Sequence, residues 1–323
     1  MESEHMENFP ARPGIVFMGT PDFSLPCLKA LADRGHEILA VVTQPDRPKG
    51  RGRKVVSSPV KRAAEKYGLR VLQPEKASDE QFLQVIRSLR PELLVVVAFG
   101  QILKKGLLET SRRGALNIHA SLLPRYRGAA PIHWAILNDE VKTGLTAMIM
   151  DEGLDTGPIL LQREVAISRE ETAGELHDRL SLLAGDLLLE TLEGLADNRL
   201  SEEPQDHSRA TYAPKIDRRM SLLKWDRPAR AISAHIRALD PWPGAVTILA
   251  GKEIKLFSSR VIDEDRSDVV PGRVSGHLHG ALQVETSRGV IEIREFQLPG
   301  KKRLTAGDFL RGFPINTGTV LGK

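Results

Sequence analysis

Leu93-Leu94-Val95-Val96-Val97-Ala98-Phe99 is apolar at every position. A half-exposed strand alternates apolar with polar residues, so an unbroken run of this length reads as a strand covered on both faces. Ile15-Val16-Phe17-Met18, which ends at Gly19, and residues 38–43 share the pattern. Helices are expected over 24–33, from Ser58-Pro59 onward, and over 79–89. Pro59 suits the first turn of a helix, where its missing N–H costs nothing. Further along, 115–119 reads as a strand, 131–138 as a helix and 144–150 as a strand. Near-continuous apolar strands alternating with helices indicate an α/β class, a Rossmann-like and mainly parallel sheet with helices on both faces. Ligands of such sheets sit beyond the carboxyl ends of the strands.

The 115–119 strand ends in Asn117-Ile118-His119 and runs into Ser121-Leu122-Leu123-Pro124-Arg125-Tyr126-Arg127-Gly128. Asn117 and His119 are two apart, so their side chains leave the strand on one face. Gly153-Leu154-Asp155-Thr156-Gly157 follows the 144–150 strand. Alone, Asp155 between glycines is an ordinary turn residue. Taken with its partners, it completes an amide, an imidazole and a carboxylate. That set serves acyl transfer when the protein offers no nucleophile: an oxyanion donor, a proton shuttle, and a group that sets the shuttle's charge.

Residues 172–195 read as one long helix. The polar stretch 197–219, with Pro204 and Pro214, reads as a linker. A helix over 228–239 and β-patterned segments at 245–250, 254–261, 272–275, 281–285 and 290–296 then suggest a small OB-like barrel. The expected organisation is a disordered tail over 1–12, a catalytic domain over 13–196, the linker, and a C-terminal β-barrel over 220–323.

Charge is unevenly placed. The formal net charge is +4, yet from residue 206 onward there are 20 Lys and Arg against 13 Asp and Glu. A basic C-terminal part suggests a polyanionic partner. The segment 44–54 carries Arg47, Lys49, Arg51, Arg53 and Lys54 on what reads as a loop held open by Pro and Gly. Lys301-Lys302-Arg303 is a second basic cluster. At the ligand end of a sheet, such side chains form a clamp for phosphates.

Other classes fall away. Gly19-Thr20-Pro21-Asp22-Phe23 has one glycine where a dinucleotide fold needs G-x-G-x-x-G, and no phosphate-binding G-x-x-x-x-G-K-[ST] occurs. A single Cys27 leaves no disulfide framework and no multi-cysteine zinc site. His277 and His279 lack a third ligand at a fitting spacing, so no metal is expected. No apolar run approaches a membrane span, and the acidic start resembles neither a signal nor a transit peptide.

In these residues the sequence resembles the methionyl-tRNA formyltransferase family over almost its whole length. The matching blocks are Phe17 to Phe23, Thr43 to Pro48, Gly50-Arg51-Gly52, Ser58-Pro59-Val60-Lys61, Asn117-Ile118-His119, Ser121 to Pro131, Gly153 to Gly157, Thr211-Tyr212-Ala213 and Pro241-Trp242-Pro243. The acidic extension before residue 13 departs from the pattern and touches no motif. The resemblance implies the formyltransferase fold and transfer of a formyl group from 10-formyltetrahydrofolate to the amino group of methionyl initiator tRNA. By carry-over, Asn117, His119 and Asp155 are catalytic. Folate is placed against Phe99, Gly100, Ile102, Ser121, Leu122, Leu123, Pro124, Met150, Asp151 and Leu154. Arg47, Lys49, Arg51, Arg53, Lys54, Lys215, Lys301, Lys302 and Arg303 are placed against tRNA. The resemblance also implies a cytoplasmic enzyme acting as a monomer, without a metal.

A formyltransferase acting on an amino-sugar nucleotide or ribonucleotide would keep the same triad, as would a formyl-folate hydrolase. None has an evident use for a basic loop beside the site. A non-catalytic RNA-binding protein would have no use for the intact triad.

Overall fold

A computed structural model describes residues 9–49, 54–278 and 280–322. Of the tail expected over 1–12, residues 1–8 lie outside that set. Phe9 is buried, with the Arg113 guanidinium 5.7 Å from the centre of its ring. The chain forms two compact units. The first comprises Met1–Gly128, Gly144–Val165 and His177–Tyr212; the second comprises Ala129–Thr143, Ala166–Leu176 and Ala213–Lys323. The last crossing, between Tyr212 and Ala213, lies in the polar stretch 197–219.

The first half of the chain runs β1 (Ile15–Gly19), α1 (Leu25–Asp33), β2 (Ile38–Val42), β3 (Arg47–Lys49), β4 (Lys54–Val56), α2 (Pro59–Lys66), β5 (Val71–Leu72), α3 (Glu80–Leu89) and β6 (Leu93–Val97). Next come α4 (Lys105–Leu108), β7 (Ala115–His119), α5 (Pro131–Leu137), β8 (Lys142–Ile149), β9 (Ile159–Ala166) and α6 (Ala173–Ala196). Among the described residues a seven-stranded sheet is ordered β5-β2-β1-β6-β7-β8-β9. The pairs from β5 to β7 are parallel, and β8 runs antiparallel to β7.

β1 shows why the apolar runs decide the fold. Val16 and Met18 pack on one face of the sheet with Phe82, Leu83 and Ile86 of α3. Ile15 and Phe17, which alternate with them, are fully buried on the other face. On that side the helices α1 and α6 come close, for a Cβ on Gly185 would meet Pro26 O at 2.9 Å. Burying one such side chain contributes about 1.5–3 kcal/mol. Ser58 opens α2 as expected, its hydroxyl accepting the Lys61 N–H at 3.0 Å.

Two sequence expectations are corrected here, and one strand was not foreseen. The β6 strand stops at Val97, because Ala98 takes φ 47° and turns the chain. β9 escapes the strand pattern, since Gln162, Arg163 and Glu164 break its apolar run. The flanks of the basic segment are not an open loop: β3 and β4 pair antiparallel, with Arg47 opposite Val56 and Lys49 opposite Lys54. Val55 and Val56 favour that extended form, and Pro48 is tolerated in a two-stranded ribbon. Residues 50–53, which include Arg51 and Arg53, lie outside the described set.

The second unit adds α7 (Ala229–Ala238), β10 (Ala245–Leu249), β11 (Lys252–Asp263), β12 (Val274–Leu278), β13 (Ala281–Glu285), β14 (Val290–Gln297), β15 (Leu304–Thr305) and α8 (Ala306–Gly312). Its antiparallel sheet is ordered β10-β11-β14-β13-β12, with β15 on β14. A later segment joins the two ends. Val274 N bonds Thr319 O and Gly322 N bonds Ile248 O, each at 2.8 Å. The barrel expected from strand spacing is thus drawn closed over Trp225, Leu256, Ile291, Ile293, Phe296 and Phe309. The α5 helix belongs here too. Asp139, just past its end, accepts Arg230 Nε at 2.7 Å and the buried Arg237 Nη2 at 3.0 Å, both from α7.

Candidate active site

The candidate site lies within the first unit, beyond the carboxyl end of β7. Pairing with Val96 on one side and Met148 on the other fixes the height of Asn117 in the sheet. Asn117 and His119 are both buried, at 8% and 7% exposure. Their shared face is the one predicted from the two-residue spacing.

His119 meets an oxygen at each ring nitrogen. Nε2 lies 3.0 Å from Tyr126 O, and Nδ1 lies 3.7 Å from Asp155 Oδ2. A carbonyl oxygen cannot donate, so Nε2 carries the hydrogen. The doubly protonated ring is the form that presents a proton to both oxygens.

Asp155 reaches this position through an unusual backbone. Its φ is 54°, in the left-handed region that Asp enters more readily than most residues. Its Oδ2 accepts the Gly128 N–H at 2.8 Å, tying the 153–157 loop to the end of the 121–128 loop. Two residues on, a Cβ at Gly157 would collide with Ile149 O, so glycine is required there.

The 121–128 loop is held from several directions. Ser121 Oγ donates to Arg125 O at 2.6 Å. Thr146 Oγ1, from β8, donates to Ser121 O at 2.7 Å and accepts from Leu123 N at 3.1 Å. Gln162, from β9, donates to Leu123 O at 2.9 Å. Thr211 Oγ1 accepts from Tyr126 N at 2.8 Å. Sequence reasoning missed Thr146, Gln162 and the anchoring role of Thr211. Only Thr211-Tyr212-Ala213 carried a signal, as a matching block.

The other expected ligand residues fall into distinct groups. Ile102 and Leu154 are 80% and 56% exposed, large apolar side chains facing solvent. The loops that carry them approach each other where Lys105 Nζ stands 3.9 Å from Glu152 Oε1. The Phe99 ring is buried in the core, so its outward part is backbone, where the carbonyl accepts Thr20 Oγ1 at 2.8 Å. Gly100 follows at φ 89°. Ser121 and Leu123 are buried, while Leu122, Pro124 and Met150 are partly exposed and Asp151 is exposed. Asp151 Oδ1 accepts Gly153 N and Thr156 Oγ1, shaping its own loop.

Of the expected phosphate contacts, Lys215, Lys301 and Lys302 are exposed. Arg47 is exposed and pairs with Glu75 at 2.7 Å. Arg303 is committed inside its own unit. Its guanidinium bonds both oxygens of the buried Asp240, at 2.9 and 3.0 Å, bonds Glu295 at 2.7 Å, and stacks 4.1 Å from the Phe257 ring centre. Lys49 and Lys54 close the described ends of the ribbon. At its base, Asp46 binds Lys61 Nζ at 2.7 Å, and this bond, followed by the one from Gln73, holds the Asp46 carboxyl below its ordinary pKa. Among the described residues no group of three or more His, Cys, Asp or Glu is arranged to hold a metal ion. No described helix is long and apolar enough to cross a membrane.

Comparison with known proteins gives the family. Residues 14–192 match the formyl transferase family and residues 215–314 the formyl transferase C-terminal domain. The chain is 49% identical over 309 residues to the methionyl-tRNA formyltransferase of Pelotomaculum thermopropionicum, covering 96% of this chain and 98% of that one. It is 52% identical to the methionyl-tRNA formyltransferase of Pelobacter propionicus, covering 95% of this chain and 96% of that one. Among solved structures it resembles an N-formyltransferase from Helicobacter canadensis in complex with folinic acid and dTDP-3-aminofucose. The TM-score is 0.66 at 18% identity, over 87% of this chain and 98% of that one. HypX from Aquifex aeolicus in complex with tetrahydrofolic acid gives 0.61 at 19% identity, over 95% of this chain and 51% of that one. The structural likenesses speak to the fold alone. The family matches and the near-full-length identities go further: this chain belongs to the methionyl-tRNA formyltransferase family.

Proposed function

We propose that this enzyme transfers the formyl group of 10-formyltetrahydrofolate to the α-amino group of methionine on initiator tRNA. The observation that carries the chemistry is His119, held between Tyr126 O and the Asp155 carboxylate, two residues from Asn117 on the same strand. The amine nitrogen forms a bond to the formyl carbon, and the carbonyl electron pair moves onto oxygen. The Asn117 amide donates to that oxygen, and the His119 imidazolium places positive charge beside it. A donor aimed at such an oxyanion typically contributes about 3–4 kcal/mol to the transition state. When the oxygen re-forms its double bond, the C–N10 bond breaks with its electron pair. The His119 imidazolium, steadied by Asp155, gives a proton to N10 as that bond breaks, and the neutral ring then takes up the proton lost by the amine.

The folate is assigned to Ile102 and Leu154, whose exposed side chains offer apolar cover, and to the backbone of Gly100 and residues 121–124, which offers amide-like edges. Met150, Asp151 and the carbonyl of Phe99 border the same region. No metal is assigned. Lys215, Lys301 and Lys302, together with Arg47, Lys49, Arg51, Arg53 and Lys54 of the basic segment 44–54, are assigned to tRNA phosphates. A tRNA acceptor places the reaction in the cytoplasm, where translation begins. The test is transfer of labelled formyl from 10-formyltetrahydrofolate to methionyl initiator tRNA, run beside an amino-sugar nucleotide. Label in the tRNA is expected; label in the sugar nucleotide alone would overturn the proposal.

A further inference from the structure

We propose that Gln205, in the polar stretch before Ala213, is a positioning residue for the reaction, acting through Asp155. The inference rests on the catalytic reading of Asp155 given above.

Gln205 is buried, at 6% exposure, although its neighbours Pro204 and Asp206 are exposed. Its amide nitrogen donates twice, to Asp155 O at 2.9 Å and to Gly157 O at 2.7 Å. Those carbonyls belong to Asp155, whose left-handed backbone aims its carboxylate, and to Gly157 two residues on. Its amide oxygen accepts twice, from Arg127 Nε at 3.2 Å and Arg127 Nη2 at 2.6 Å. Two of the four bonds reach the 153–157 loop and two reach the 121–128 loop, so Gln205 joins one to the other.

Arg127 strengthens the arrangement. It is buried at 2% exposure, and among the described residues no carboxylate pairs with its guanidinium. Its guanidinium also meets His207 Nδ1, 3.1 Å from Nη2; because Arg can only donate, that nitrogen accepts. A cation on the amide oxygen of Gln205 polarises its N–H bonds and makes them better donors. The same stretch grips the 121–128 loop again, with Arg127 N on Thr211 O at 2.9 Å and Thr211 N on Pro124 O at 3.3 Å. It grips the far side of the 153–157 loop where Glu203 and Ile159 bond each other's backbone at 2.8 and 2.9 Å. Composition marks this stretch as a tether; hydrogen bonding makes it a strap across both halves of the site.

Gln205→Glu separates the two roles. The glutamate keeps an acceptor for Arg127, now with a charge to pair, but has no N–H for Asp155 O and Gly157 O. Its kcat should fall by about tenfold or more while KM for both substrates stays within about threefold, the pattern of a lost transition-state arrangement. In an Asp155→Asn background, followed in single turnover, Gln205→Glu should cost no more than about twofold, because coupled residues are non-additive. Should Gln205→Glu fail to fold, Arg127→Lys, which keeps the charge and loses the two-point grip on Gln205, takes its place in the same cycle. Full turnover by Asp155→Asn alone would sink the reading of the site itself. Loss in Asp155→Asn with none in the Gln205 or Arg127 variant, or losses that multiply in the double variant, would sink the positioning role while leaving that reading intact.

Discussion

Asp155 Oδ2 lies 3.7 Å from His119 Nδ1 while accepting the Gly128 N–H at 2.8 Å. One oxygen therefore both faces the imidazole and ties together the loops on either side of it. Asp155→Asn keeps the shape and removes the charge. It should lower kcat by about 10²- to 10⁴-fold, the usual range for disabling acid–base catalysis, with little change in melting temperature. Steady-state turnover with methionyl-tRNA, beside a thermal melt, checks both halves of the statement.

Asn117 is assigned to the oxyanion, a species that exists only during the reaction. Asn117→Ala should cost about 10²- to 10³-fold in kcat. The KM for folate should stay nearly unchanged. A rise in KM matching the loss in kcat/KM would mean that the amide holds ground-state substrate instead.

The basic residues divide by their partners. Lys301→Ala and Lys302→Ala should raise KM for tRNA and flatten its dependence on salt, each by roughly one unit of log–log slope per lost phosphate contact. Arg51→Ala should act on tRNA in the same way, or lower kcat, and spare folate; equal loss of folate affinity would contradict its role.

Arg303 should behave differently from its two neighbours. Its removal strands the Asp240 carboxylate, which is 5% exposed, and breaking such a pair typically costs about 3–5 kcal/mol. Arg303→Ala should thus lower the melting temperature markedly. A variant that melts like the parent and merely binds tRNA weakly would reverse this assignment.

Burial holds the pKa of His235 below its ordinary 6.5, partly offset by its hydrogen bond to Met220 O. The unfolded chain then takes up a proton before the folded one does. Stability from this group is fully present above pH 6.5 and is lost as pH falls towards the lowered folded value. His235→Gln should melt with a shallower decline between pH 7 and pH 5 than the parent. Parallel melting curves would show that His235 does not contribute.

Periodicity carries the fold. The apolar runs at β1, β2 and β6 are legible because strands buried on both faces leave no room for polar residues, and Ser58-Pro59 is legible because capping is local chemistry. β9 was hidden because its exposed positions mimic a loop. The ribbon of β3 and β4 was hidden because two-stranded pairing depends on a partner segment that no window contains. Asn117 and His119 could be read from strand geometry, and Asp155 only with them beside it. Gln205 had no signal at all: its meaning comes from two carbonyls about fifty residues away in the chain. Arg303 sits in a basic triplet, and nothing in that triplet announces Asp240.

The interleaving of the two units bears on how such chains can be exchanged in evolution. Arg237 and Arg230 belong to the segment after residue 213, but the carboxylate they share, Asp139, is encoded amid the residues of the other unit. A gene fusion that swapped everything beyond Tyr212 for a homologue's sequence would import two arginines and leave their acid behind. Crossover at that seam is therefore viable only between genes that already agree at Asp139. The two units inherit together, whatever their separate tasks.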